Sequence, residues 1–156
     1  MDDQILALSP DGMGDTLPKD HEYFTFIKKV VRHRCRQAGF KRISTPFFER
    51  TDVIKRALAE EADRIERSMY SMRDPEGNDL TIRSGSTIGI ARAYVEHKFE
   101  EMPQPLFLYY IEPQARYTPL KPGYYRHFHQ LGFEVIGEND PALDAQVIHV
   151  AHQINK

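Results

Sequence analysis

The sequence predicts an α+β fold, an antiparallel β-sheet flanked by helices, and three observations carry that reading. Residues 106–116 and 125–136 have strand composition and alternation, and the loop between them holds Pro119, Pro122 and Gly123. Amphipathic helical patterns occupy 20–38 and 140–154. Between them, two short β-like runs flank a turn of Asp74, Pro75, Glu76, Gly77, Asn78 and Asp79.

Taken in order, residues 1–19 read as loop, punctuated by Pro10, Gly12, Gly14 and Pro18. Tyr23, Ile27, Val30, Val31, Arg34 and Ala38 recur at helical spacing, and Gly39 supplies the stop. An extended segment over 40–48 contains Pro46, whose missing N–H suits an edge or interface element. The pattern is helical again over 52–69, through Val53, Ala57, Leu58, Ala62, Ile65 and Met69. A hairpin over 70–83 and a helix over 87–101 follow, the helix stopped by Pro103 and Pro105. Asp140 as N-cap and Pro141 in the first turn start the last helix, whose apolar stripe is Leu143, Val147, Val150, Ala151 and Ile154.

A chain of 156 residues suits a single domain with one core. Its net charge of −2 gives no overall basic field to attract nucleic acid. No apolar run approaches the ~20 residues of a membrane helix. The single cysteine, Cys35, cannot form an internal disulfide and reads as a small buried thiol, which fits a cytoplasmic setting. Lys28, Lys29, Arg32, Arg34 and Arg36 read as a solvated helix face.

Strand alternation places Arg126, Phe128, Gln130, Gly132 and Glu134 on one face of the last strand. Tyr125, His127, His129, Leu131, Phe133 and Val135 take the other. Arg116 ends the preceding strand on the face of Tyr110, Glu112 and Gln114. Paired antiparallel, these strands could offer Arg116 and Arg126 to phosphates, Phe128 to a planar ring and Glu134 to an ammonium group. The same residues could equally make a solvated face with cross-strand ion pairs. His127 and His129 share a face, but with no third spaced ligand no structural metal is expected.

Ile111-Glu112-Pro113-Gln114-Ala115-Arg116-Tyr117, followed by Tyr125-Arg126-His127-Phe128-His129-Gln130-Leu131-Gly132-Phe133-Glu134-Val135-Ile136-Gly137, resembles motif 2 of class II aminoacyl-tRNA synthetases in its histidyl version. Gly12-Met13-Gly14-Asp15 with Leu17-Pro18 resembles that family's N-terminal signature. The segment from Gly39-Phe40 to Thr45-Pro46-Phe47-Phe48-Glu49 resembles motif 1. Asp63, Met69-Tyr70, Arg92-Ala93-Tyr94-Val95-Glu96-His97 and Asp140-Pro141 with Asp144-Ala145 also fit. The resemblance to histidyl-tRNA synthetases runs along nearly the whole chain. It implies a partial class II catalytic domain with motif 1 near 39–49 and motif 2 near 106–137. It also implies a homodimer through the motif 1 region and activation of histidine by ATP with Mg²⁺ before transfer to tRNA. On it, Arg116 holds the α-phosphate as the catalytic residue, and Arg126 and Phe128 join it on ATP. Thr87, Gln130 and Glu134 contact histidine.

Departures from the family pattern gather at the same site. Arg83-Ser84-Gly85-Ser86-Thr87 stands where the family has Arg-Pro-Glu-Gly-Thr, so Gly85 replaces a carboxylate. Thr118 replaces a glutamate facing adenine, and Tyr124 an arginine reaching the phosphates. Ala57-Leu58-Ala59-Glu60-Glu61 replaces a glycine-rich loop and is expected to continue the helix. The chain is expected to lack motif 3 and the anticodon-binding domain, where the full-length family engages tRNA. Weak or absent activation of histidine is therefore expected. The alternatives are a non-catalytic paralogue, similar to the histidine-sensing regulatory subunit of ATP phosphoribosyltransferase, or an engineered dimeric scaffold without ligand.

Overall fold

A computed structural model describes residues 8–59 and 68–156. Among the described residues, four α-helices, α1 (His21–Gln37), α2 (Thr51–Leu58), α3 (Thr87–Glu96) and α4 (Pro141–Ile154), are interspersed with six strands. The strands are β1 (Lys41–Arg42), β2 (Phe48–Arg50), β3 (Ser71–Arg73), β4 (Asp79–Ile82), β5 (Leu106–Ala115) and β6 (His127–Ile136). They form two three-stranded sheets, ordered β1-β5-β6 and β2-β4-β3. Every pairing is antiparallel except the short one of β1 with β5. Pro46 falls in the connection between β1 and β2, in neither strand, and both of those strands lie at a sheet edge.

The β5–β6 ribbon is the spine, in register from Leu106 opposite Ile136 to Ala115 opposite His127. The face with Leu131, Phe133 and Val135 packs under α1 and α4, around buried Val31, Cys35, Phe40, Tyr109 and Val150. Phe40 meets Phe107 and Phe133 edge to face. Burial pushes the Cys35 thiol up to about 11, so it stays protonated and inert, in keeping with the sequence reading. On the opposite face, Ile90 of α3 sits on Leu108 and Tyr110.

Local signals set several boundaries. The Asp140 side chain accepts from the Ala142 N–H at 2.8 Å, capping α4, and Pro141 opens its first turn. In the β3–β4 hairpin, the Asp74 carboxylate accepts from the N–H groups of Glu76 and Asn78 and from the Asn78 amide. Those hydrogen bonds, the Asn78 side chain first, hold the Asp74 carboxyl below its usual range.

Other expectations need correction. The helix expected over 52–69 ends at Leu58, where Ala59 takes φ +42° and ψ −113°, a conformation that favours glycine. The remainder of that expectation, with Glu60, Glu61, Ala62, Asp63 and Ile65, lies outside the described residues. The helix expected over 87–101 stops at Glu96, because Lys98 turns left-handed at φ +51° before a short 3₁₀ turn (Phe99–Glu101). On α1, Tyr23 and Ile27 are 72% and 53% exposed, with Phe26 at 66%. The helix reaches the sheet through Val31 and Cys35 instead, and through Phe24, whose ring meets His129 edge-on. No helix among the described residues is long and apolar enough to cross a membrane.

The two sheets are joined through Arg83, which follows β4 and is 5% exposed. Its Nη2 donates to Glu112 of β5 at 3.1 Å, Nε to the Pro113 carbonyl at 3.0 Å and Nη1 to the Thr45 carbonyl at 2.7 Å. Glu112 also accepts from Ser44 at 2.6 Å. Breaking a buried, hydrogen-bonded ion pair costs about 3–5 kcal/mol. Arg83→Ala is therefore expected to lower unfolding stability by about that amount, measured by urea denaturation. An unchanged midpoint would show that the sheets are held together elsewhere.

Candidate active site

The sheet face opposite α1 and α4 carries the candidate site. Along it, Leu108 opposes Glu134, Tyr110 opposes Gly132, Glu112 opposes Gln130 and Gln114 opposes Phe128. The turn at 84–86 and the first residues of α3 lie over these pairs. Thr87, the first residue of α3, donates its hydroxyl to Glu134 Oε1 at 2.7 Å. Burial, and then the Glu134 carboxylate, push the Tyr110 phenol above its ordinary range, so it stays protonated beside Thr87 and Ser86.

Gly132 makes this arrangement possible. A Cβ at that position would overlap Cζ and Oη of Tyr110, whose ring lies across β6. One residue pair further along, the Gln130 Oε1 is buried with no hydrogen-bond partner among the described residues. It sits 3.9 Å from where a Cβ of Gly85 would stand. Gln114, fully buried, donates to Ser86 Oγ at 2.8 Å, and its own Oε1 likewise meets no partner among the described residues. Buried carbonyl oxygens normally find a donor, so this floor is built to receive one.

Arg116 stands at the other end. Its Nη2 donates to the Ser84 carbonyl at 2.7 Å, and its guanidinium lies 5.9 Å from the centre of the Phe128 ring. Between the two ends opens a cleft of about 510 Å³, walled by Leu58, Ser68, Met69, Ser84, Gly85, Thr87, Ile88 and Arg116. Arg116 and Thr87 line this cleft, with Phe128 beside Arg116 and Glu134 bonded to Thr87; a cation at one end and a hydroxyl with its carboxylate at the other suit a ligand with an anionic half and a cationic half.

Of the six residues expected here, the structure gathers Thr87, Gln130 and Glu134 on one side and Arg116 with Phe128 on the other. Arg126 is directed elsewhere. It stacks on Tyr117 at 4.3 Å and donates Nε to the Thr118 carbonyl at 3.1 Å and Nη1 to the Asp11 carbonyl at 3.3 Å. Its backbone N–H donates to Gly12 at 2.7 Å, where φ is +75° and a side chain would strike Leu120 and Arg126. Sequence reasoning missed the Arg83–Glu112 anchor and the supporting roles of Tyr110, Ser84 and Gln114. One signal was available: Glu112 interrupts an otherwise apolar and amide-bearing strand, and a carboxylate there needs a buried cation.

A sequence model described as Histidyl-tRNA synthetase matches residues 12–156. The chain belongs to the histidyl-tRNA synthetase family. It is 42% identical over 150 residues to a histidine–tRNA ligase of Desulforamulus reducens, and 40% identical over 146 residues to one of Bacillus licheniformis. Those alignments cover 96% and 93% of this chain but 36% and 34% of the relatives, so it spans about a third of their length. Among solved structures, apo histidyl-tRNA synthetase of S. aureus superposes with a TM-score of 0.79 at 33% identity, over 94% of this chain and 33% of that one. A Bacillus halodurans protein titled ATP phosphoribosyltransferase regulatory subunit/histidyl-tRNA synthetase superposes at 0.81 with 26% identity, over 99% of this chain and 38% of its own. The α+β reading and the resemblance drawn from the long hairpin are thus borne out, and the fold is that of class II synthetase catalytic domains.

In this member of the family, the stacking of Tyr110 against Gly132 underlies the cleft floor. Overpacking at such a contact costs about 1–3 kcal/mol. Gly132→Ala is expected to destabilise by that much, read from a thermal melt. Pairing it with Tyr110→Leu should recover most of the loss; failure to recover would place the strain elsewhere.

Proposed function

We propose that this chain is the ATP- and histidine-binding part of a histidyl-tRNA synthetase catalytic core. In the family reaction, a histidine carboxylate oxygen bonds to the α-phosphorus of ATP, the α–β phosphoanhydride bond breaks and pyrophosphate departs. The histidyl group then passes to tRNA in the full-length family. What supports this reading is the cleft that Arg116 and Thr87 line, with Phe128 beside Arg116, Glu134 bonded to Thr87 and the Gln130 carbonyl near Gly85. Arg116 holds the α-phosphate and spreads the charge that develops on it, the role preorganised cations play in phosphoryl chemistry. Phe128 supports the adenine. Gln130 and Glu134, the latter oriented by Thr87, receive the ammonium group and fix the carboxylate for attack. Arg126 reaches ATP only by giving up its Thr118 and Asp11 carbonyls.

In the family reaction Mg²⁺ would accompany ATP, neutralising phosphate charge as the carboxylate attacks, beside the Arg116 guanidinium. Gly85, Thr118 and Tyr124 remove three charged contacts, each worth about 1.5–3 kcal/mol, so activity is weak or absent. The unmatched Gln130 carbonyl beneath Gly85 also favours a second reading, a non-catalytic paralogue that binds histidine alone. A cytoplasmic, homodimeric protein suits either. The apolar stripe of Tyr23, Phe26 and Ile27 on α1, leading into 39–49, supports the dimer.

Histidine-dependent ATP–pyrophosphate exchange, with alanine as the control amino acid, tests the first reading. Exchange above control that Arg116→Ala abolishes and Gly85→Glu raises at least ~10-fold is the expected result; histidine binding with no ATP dependence would select the paralogue. For the dimer, Phe26→Asp is expected to shift the chain to a monomer in light scattering. A monomeric wild-type chain would end that part of the proposal.

A further inference from the structure

Tyr110, Gln114 and Arg116 alternate onto one face at the end of β5, and all three hold the turn at 84–87. The Tyr110 phenol bonds the Ser86 backbone and the Thr87 side chain. Gln114 donates Nε2 to the Ser86 hydroxyl at 2.8 Å, and Arg116 donates Nη2 to the Ser84 carbonyl at 2.7 Å. Gly85, between those last two grips, brings no side chain of its own. On the proposed function Arg116 also holds the α-phosphate. A phosphate binds a guanidinium more strongly than a neutral carbonyl does, so the grip on Ser84 weakens when ATP arrives. The middle of the turn then depends on Gln114.

The Gln114–Ser86 bond burdens the fold that contains it. Both residues are buried, at 0% and 1% exposed. Gln114 Oε1 meets no partner among the described residues, and Ser86, at the N-cap of α3, makes no side-chain bond to the first turn of that helix. A serine at such a position ordinarily caps. Here its hydroxyl oxygen is turned to Gln114 instead. Two apolar side chains of similar shape would remove the unmatched carbonyl and leave stability level or raised. A buried bond that the fold does not need is the kind of feature a site retains for function. We infer that Gln114 is a positioning residue: through Ser86 it keeps the 84–87 turn, and with it the Thr87 hydroxyl on Glu134, in place while Arg116 serves the phosphate. This inference rests on the proposed function of the cleft. Gln114 itself is sealed from solvent and acts through Ser86. Its presence makes the histidine end indifferent to ATP; its loss lets the filling of one end loosen the other, a coupling between two ligands.

Isothermal titration calorimetry of histidine into the full chain, alone and saturated with α,β-methylene-ATP, tests this on the wild type, Gln114→Met, Ser86→Ala and the double variant. Wild-type affinity for histidine should be the same or tighter with the analogue bound. Each single variant should lose less than ~3-fold without the analogue and at least ~10-fold with it. Because the two side chains act as one bond, the double variant should bind no more weakly than either single one. Thermal melts of all three variants should be level with the wild type or above it. Three results overturn the inference: variants that bind as the wild type does with the analogue present, losses of equal size with and without it, or losses that add in the double variant. Lower melts accompanied by an affinity loss that ignores the analogue would mark a merely structural bond. A wild-type chain that binds no histidine, or no analogue, ends the proposed function and this inference with it. Variants indistinguishable from a wild type that binds both end the inference alone.

Discussion

The Arg83–Glu112 pair is the constraint from which the rest of this structure follows. A carboxylate in the middle of β5 costs free energy on burial unless a cation and further donors meet it. Arg83 supplies the cation, and its planar fork extends in three directions, to Glu112, to Pro113 and to the Thr45 carbonyl. Glu112 and Pro113 belong to β5, in the sheet that Arg83 itself does not follow, and Thr45 to the segment between β1 and β2. The residues immediately after Arg83 inherit that placement: Ser84 accepts from Arg116, Ser86 from Gln114, and Thr87 reaches Glu134.

The candidate site is therefore a by-product of how two sheets are stitched together. One short stretch, 83–87, first fastens the fold and then furnishes the cleft. Its conformation is held by a buried anchor at one end and by a helix start at the other, which leaves Gly85 suspended between them. At that position the chain presents open space to the Gln130 carbonyl, and the chemistry of any ligand is decided by what fills it.

What could be read from the sequence was whatever depends on a local period or a cap. The alternation of β6 sorted Gln130, Gly132 and Glu134 from Leu131, Phe133 and Val135 correctly, because a strand that packs on both faces cannot slip by one residue without exchanging them. Asp140 and Pro141 announced α4 for similar reasons. The errors arose where the backbone leaves the regular period or a side chain turns to another partner. Ala59 and Lys98 leave their helices despite good helix-forming neighbours. Tyr23 and Ile27 obey the helical period yet face away from the sheet. Arg126 sits opposite Arg116 in the alternation, but the aromatic face of Tyr117 and two carbonyls outcompete the shared surface.

β6, which carries half of the candidate site, is also the last strand of its sheet. Its outer row of peptide groups has no strand partner among the described residues, so Gln130 and Glu134 stand on a border rather than in an interior. Any strand that zips onto that border would lay its own side chains beside theirs and become the missing wall of the cleft. Ligand choice in such a protein is partly written by a neighbour: the same floor, bordered by a different strand, would serve a different guest.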